Sequence, residues 1–190
     1  MISIKRYPLF DGHNDSLVRT YMTRKSENPR SLLKRSESGH LDIPRSREAG
    51  LFGGMFAIFV PEDPECFDPP DTGLETTEHG YRFPLAEAID AAYAREFTTA
   101  VLDYLDRIVV ESDGQLTIAR SIADLTDNRR ENSLHMVIHL EGAEAVDPDL
   151  KLLPQYYDRG VRSLGMVWSR PNAFGWGVPF EFPRTPDTGP

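Results

Sequence analysis

The sequence predicts an α/β fold with parallel strands, and three observations carry the prediction. Four short apolar runs, at residues 7–10, 53–60, 136–141 and 161–168, are bounded by Gly, Pro or polar clusters. The run at 53–60 is wholly apolar, as suits a strand covered on both faces. A helical segment lies between the third and fourth runs, which is the strand-helix-strand spacing of a parallel βαβ unit.

Taken in order, residues 7–10 are interrupted by Pro8 and lead into Asp11-Gly12, so they read as a strand that ends at a turn. Residues 19–48 hold eight Lys/Arg against four Asp/Glu, without aromatic interleaving or clear apolar periodicity, and read as a solvated basic loop. The strand at 53–60 is closed by Pro61, and further Pro and Gly make 61–80 a loop. From Pro84, which suits a first helical turn, Leu85, Ile89, Phe97, Val101, Leu105 and Ile108 fall on one stripe. That predicts a long helix ending at Asp113-Gly114. Ser121 and Asp124 have capping-box spacing for a short helix ending near Asn128 to Asn132.

After the third strand, Asp147-Pro148 reads as an N-cap and first helical residue, and Gly160 as the C-terminal cap. Pro154 inside that helix implies a kink or an early start. The fourth strand runs to Trp168. Five of the last twenty residues are proline, with no helix to cover that strand. The expected organisation is a single, incomplete domain over 1–190, with the basic loop at 19–48 and a Pro-rich end at 169–190.

The charge balance excludes some functions. A formal charge of −9 over 190 residues argues against a default nucleic-acid binder, because phosphate backbones reward an excess of Lys and Arg. The single cysteine, Cys66, has no internal disulfide partner and no nearby positive charge to activate it, so an inert thiol is expected. The N-terminus lacks the apolar core of a secretory signal, and the longest glycine-free apolar run, 55–60, is too short to span a bilayer. The expectation is a cytoplasmic protein without a membrane or nucleic-acid partner.

His13-Asn14-Asp15 is the first candidate for chemistry. In an extended segment His13 and Asp15 share a face, so imidazole and carboxylate can converge on a zinc-like ion while Asn14 points away. The spacing recurs at His40-Leu41-Asp42, so position must separate the two pairs. The first pair follows an apolar strand, where parallel α/β folds carry their functional groups. The second lies in the basic loop and reads as a surface turn.

Glu141 ends the third strand, so parallel strands bring it to the rim that carries His13 and Asp15. Its carboxylate could bridge two metals or cap the following turn; the residues alone leave both open. His139 shares its face one layer deeper and reads as a hydrogen-bonded core histidine. His135 and His79 read as surface residues, and the pair Tyr156/Tyr157 as packing. Trp168 could line a pocket or fill the core.

These residues resemble a known family. Asp11-Gly12-His13-Asn14-Asp15 looks like the opening motif of the renal or membrane dipeptidases, zinc peptidases related to the amidohydrolases. The similarity continues through residues 39–44 and 49–56, then Leu140-Glu141-Gly142-Ala143-Glu144 and Gly160-Val161-Arg162-Ser163-Leu164. The resemblance implies the N-terminal half, about four strands, of a (β/α)₈ TIM-type barrel with two Zn²⁺ per complete site. It makes His13 and Asp15 ligands of one metal and Glu141 the bridging carboxylate, while His40 and Asp42 become structural. The implied reaction is hydrolysis of a dipeptide substrate by a metal-bridging water. Self-association remains open as a further partnership.

Two departures qualify the resemblance. Trp168, the candidate substrate contact, stands where the renal enzymes carry a substrate-contacting histidine, and residues 168–174 look like a bacterial branch, so substrate preference is not carried over. Family members also continue for about as many residues again, supplying two further metal-binding histidines and a substrate-binding arginine. The expectation is therefore a truncated chain, inactive alone. Two rivals stand beside it: a non-catalytic binding or interaction fragment, and another amidohydrolase-type binuclear metal hydrolase.

Overall fold

The structure, a computed structural model, describes residues 7–63, 73–126, 133–178 and 180–183. In chain order the elements are β1 (Leu9–Asn14), α1 (Ser16–Thr23), α2 (Ile43–Ala49), β2 (Leu51–Ile58), β3 (Glu75–Thr77), β4 (Gly80–Phe83) and α3 (Ala91–Glu111). There follow β5 (Leu116–Ile118), α4 (Ile122–Thr126), β6 (Leu134–Glu141), α5 (Leu153–Asp158), β7 (Val161–Gly165) and β8 (Phe180–Phe182).

The wholly apolar β2 lies between β1 and β6, all parallel. β6 is longer than its outer neighbours and carries two of them in tandem. β5 pairs with Leu134 to Met136, and β7 with Ile138 to Glu141, both parallel. Alternation along β6 sends Met136, Ile138 and Leu140 into the core and leaves His139 and Glu141 on the opposite face. The core forms where α1 (Leu17, Val18) packs on β2 (Phe56, Ile58) and α3 (Val101, Leu105) packs against α1 and β5. Glu141 lies on the face of β6 away from Met136, Ile138 and Leu140, at the C-terminal strand end.

Several expectations are corrected. The first strand does not stop at Asp11-Gly12; it continues to Asn14, with an irregular pairing between Asp11 and Asn14. Residues 19–48 are not one loop, because α1 and α2 take up both ends. Leu17 and Val18, just ahead of the basic stretch, bury α1, while Asp42 and Pro44 start α2, whose C-cap Gly50 has φ 82°. Residues 61–80 contain β3, and β4 begins at Gly80; the two form an antiparallel hairpin that β8 joins from the Pro-rich end. The long helix begins at Ala91, not Pro84, because the Asp90 carboxylate accepts from the N–H groups of Ala92 (3.0 Å) and Tyr93 (2.9 Å).

The helix before the fourth strand begins at Leu153, with Pro154 in its first turn. Asp147 instead caps a turn, accepting from the N–H groups of Lys151 and Leu152. The fourth strand ends at Gly165, three residues short of Trp168. His135 is not a surface residue: it is 4% exposed and its Nδ1 lies 2.9 Å from the Thr117 hydroxyl. Of the tyrosine pair, Tyr156 is buried, whereas Tyr157 is exposed beneath the Arg162 guanidinium. Of the second His-x-Asp pair, Asp42 is fully buried whereas His40 is exposed, so the surface-turn reading fails for Asp42. The expectations for Cys66 and for a helix end near Asn128 to Asn132 lie outside the described residues. No helix among the described residues is long and apolar enough to cross a membrane.

Candidate metal site at the strand ends

β1 and β6 are separated by β2, hence by two strand spacings, about 9.6 Å. Side chains close that gap. His13 Nε2 lies 3.4 Å from Glu141 Oε2 and 3.5 Å from Asp15 Oδ1. One donor atom from each of the three residues falls within 4.8 Å of the others.

Local sequence explains the convergence. Asp15 occupies the N-cap of α1, yet its side chain makes no capping hydrogen bond. Asn14 takes that role, its Oδ1 accepting from Ser16 N–H at 3.1 Å while its Nδ2 donates to Asp11 Oδ2 and to the Met55 carbonyl. Asp11 also accepts from His13 N–H at 3.3 Å. The Asp15 carboxylate is thereby left to face His13. On β6, Gly142 follows Glu141 with φ 101°, ending the strand so that the carboxylate emerges at the rim.

Burial raises the Glu141 carboxyl above the usual carboxylate range; the His13 ring opposes this, Asp15 and Glu144 add to it, and Arg170 opposes it. Two carboxylates and an imidazole held this close form a set that a divalent cation would neutralise, and their N/O chemistry fits zinc.

His139 lies below this set, as expected. Its Nδ1 is 2.9 Å from the Ser163 hydroxyl, and its ring meets the His13 ring edge-on at 6.0 Å. Burial, with His13 nearby, lowers its pKa, so the neutral imidazole is favoured.

Trp168 packs elsewhere along the rim, against Phe59 (centroids 4.7 Å) and Phe180 (5.9 Å). Beside it is a feature the sequence reading missed: Arg170 and Glu144, both nearly inaccessible, are paired at 2.9 Å, with Arg170 also donating to the Val60 carbonyl. Two charges of opposite sign in flanking polar segments carry no periodic signal. A second missed feature is a pocket of about 670 Å³ whose lining includes His13 and Asp15 together with Arg19, Arg30, Gly39 and His40. Thus His40 reaches the neighbourhood of the site, while Asp42 remains in the structure beneath.

The family model for membrane dipeptidases, peptidase family M19, matches residues 3–182. This chain belongs to that family. It is 35% identical over 187 residues to an uncharacterized protein in the PQQ-III 3' region of Acinetobacter calcoaceticus, covering 97% of this chain and 56% of the relative. Among solved structures it resembles a metallopeptidase from Rhodobacter sphaeroides liganded with a phosphinate mimic of L-Ala-D-Ala (TM-score 0.83, 37% identity, 97% of this chain and 52% of that one). It also resembles the M19 metallopeptidase dipeptidase AC (TM-score 0.79, 36% identity, 97% and 50%). The chain thus spans about half the length of these relatives.

Proposed function

We propose that His13, Asp15 and Glu141 bind zinc, and that a family-length protein containing this sequence is a zinc-dependent dipeptidase. Residues 1–190 would then form the N-terminal part of a barrel-type domain. The observation that supports this reading is the convergence of one imidazole and two carboxylates at the C-terminal ends of parallel strands.

A zinc pair, when bound, supplies a Lewis acid for a peptide carbonyl and lowers the pKa of a water. Within the chain, His13 would present Nε2, with Asp15 as its partner on the same ion and Glu141 shared between two ions. His139 and Ser163 would hold the floor beneath His13. Trp168, with Phe59 and Phe180, is proposed as an apolar contact for the substrate.

The described residues hold one group of three candidate ligands, so a second ion sharing Glu141 would fall short of the three protein ligands typical of a catalytic zinc. The 190-residue polypeptide is therefore expected to show no appreciable turnover of L,L or L,D dipeptides with added zinc, whereas a family-length counterpart should hydrolyse them. Turnover by the 190-residue chain within about tenfold of that counterpart, only about 1.4 kcal/mol in barrier, would contradict the half-site. Hydrolysis of esters or lactones but no dipeptide by the longer protein would contradict the dipeptidase reading.

A further inference from the structure

We propose that the arginine-lined pocket beside His13 and Asp15 selects dipeptides with an acidic side chain, Arg30 being the group that reads the side-chain carboxylate. The inference rests on the dipeptidase reading for the identity of the ligand as a peptide, but its observations are separate.

The pocket, at about 670 Å³, is within the size range of small-molecule sites and is continuous with two of the three candidate metal ligands. Arg30 lines it and is half-buried, and no hydrogen bond or ion pair of its guanidinium is found among the described residues. Its position is made by Gly39, which has φ 74° and whose missing Cβ would collide with the Arg30 guanidinium. The backbone there fits around a cation whose guanidinium has no partner among the described residues.

Its neighbours sharpen the point. Burial lowers the Arg30 pKa, and the like charges of Arg19 and Arg45 lower it further. Arg45 is neutralised, its Nε donating to Asp42 at 2.7 Å and its Nη1 to the Gly39 carbonyl at 2.9 Å. Among the described residues Arg30 has no such counterion, so gathering it beside two other guanidiniums is unfavourable until an anion arrives. The pocket's own carboxylates are engaged elsewhere: Asp11 by Asn14 and the His13 N–H, Asp15 by His13. A planar guanidinium in that setting matches a carboxylate through two parallel N–H···O bonds.

Every dipeptide has a terminal carboxylate, so the test must separate that group from the side chain. With the 190-residue chain in excess Zn²⁺, calorimetric titration compares Glu-Ala and Ala-Glu with Gln-Ala and Ala-Gln, and zinc content is measured on the same samples. At least one glutamate peptide should bind about tenfold or more tightly than its glutamine counterpart, as for a charge-assisted pair. Arg30→Gln should abolish the preference and Arg30→Lys retain part of it. Arg35→Gln, which removes an exposed cation paired with Glu48, should leave it intact.

Equal affinities for Glu and Gln peptides, with Arg30→Gln weakening all four alike, would assign Arg30 to the terminal carboxylate and overturn the proposal. So would failure of all four to bind. Zinc binding without an acidic preference defeats this inference alone; an acidic preference without zinc binding defeats the metal-site reading alone.

Discussion

Asp15 and Asp42 each follow a histidine by two residues and each occupy a helix N-cap, yet their carboxylates do opposite things. Asp42 caps, accepting from Arg45 N–H at 2.9 Å and Ser36 N–H at 3.1 Å besides its ion pair, whereas Asp15 leaves its cap to Asn14 and faces His13. The spacing could not distinguish them; the strand in front of His13 could. His13→Ala should therefore remove zinc binding, while His40→Ala should leave zinc affinity within about threefold, since it deletes no ligand. Isothermal titration with zinc checks both. Desolvation pushes the Asp42 carboxyl upward, but the hydrogen bonds from Arg45 and Ser36 outweigh it, and its pKa is lowered from the ordinary 3.8. A depressed folded-state value means that the stabilisation is complete above the unfolded pKa and lost as pH falls through the folded one. Unfolding midpoints should thus fall below about pH 4, and Asp42→Asn should flatten that fall while costing about 1–3 kcal/mol at pH 7. An unchanged acid limb in Asp42→Asn would remove Asp42 from the account.

Elements were legible where burial imposed a single period. β2 and β6 lie within two residues of their expected positions because both must fill one continuous core, and the α3 stripe of Phe97, Val101, Leu105 and Ile108 is buried as its spacing implies. Its N-terminus was missed because Asp90 is a stronger start than Pro84, and Leu85 and Ile89 gave the stripe a false first turn. The three-residue strands β3, β5 and β8 were illegible for another reason. β5 and β8 are held by pairing to partners distant in sequence, β3 by a local hairpin with β4, and three residues cannot display a period. The charged pair Arg170 and Glu144, and the placement of Arg30 over Gly39, likewise depend on contacts that no local pattern announces. Chemical denaturation tests the burial of the α3 stripe with two variants. Leu105→Ala, at a fully buried site, should destabilise by about 2–5 kcal/mol, while Val110→Ala, 80% exposed, should stay within about 0.5 kcal/mol.

At the scale of the whole chain, the site is carried by a sheet that is open among the described residues: β7 pairs with β6 and with no other strand. The β3-β4-β8 sheet also exposes Tyr81, Phe180 and Phe182. An unpaired strand edge and an apolar face are templates for association. Gel filtration of the 190-residue chain should show an apparent mass that rises with concentration; a concentration-independent compact monomer with sharp cooperative unfolding would contradict this. Parallel order is what brings β1 and β6 to one rim; strand order places His13, Asp15 and Glu141 there, while the ligand role of Glu141 comes from the family resemblance. The measurement that bears most directly on that union is anomalous diffraction at the zinc edge from crystals grown with zinc. A zinc peak is expected within about 2.0–2.2 Å of His13 Nε2 and of an oxygen from each of Asp15 and Glu141. A zinc peak bound through His40, or none near these three residues, would contradict it.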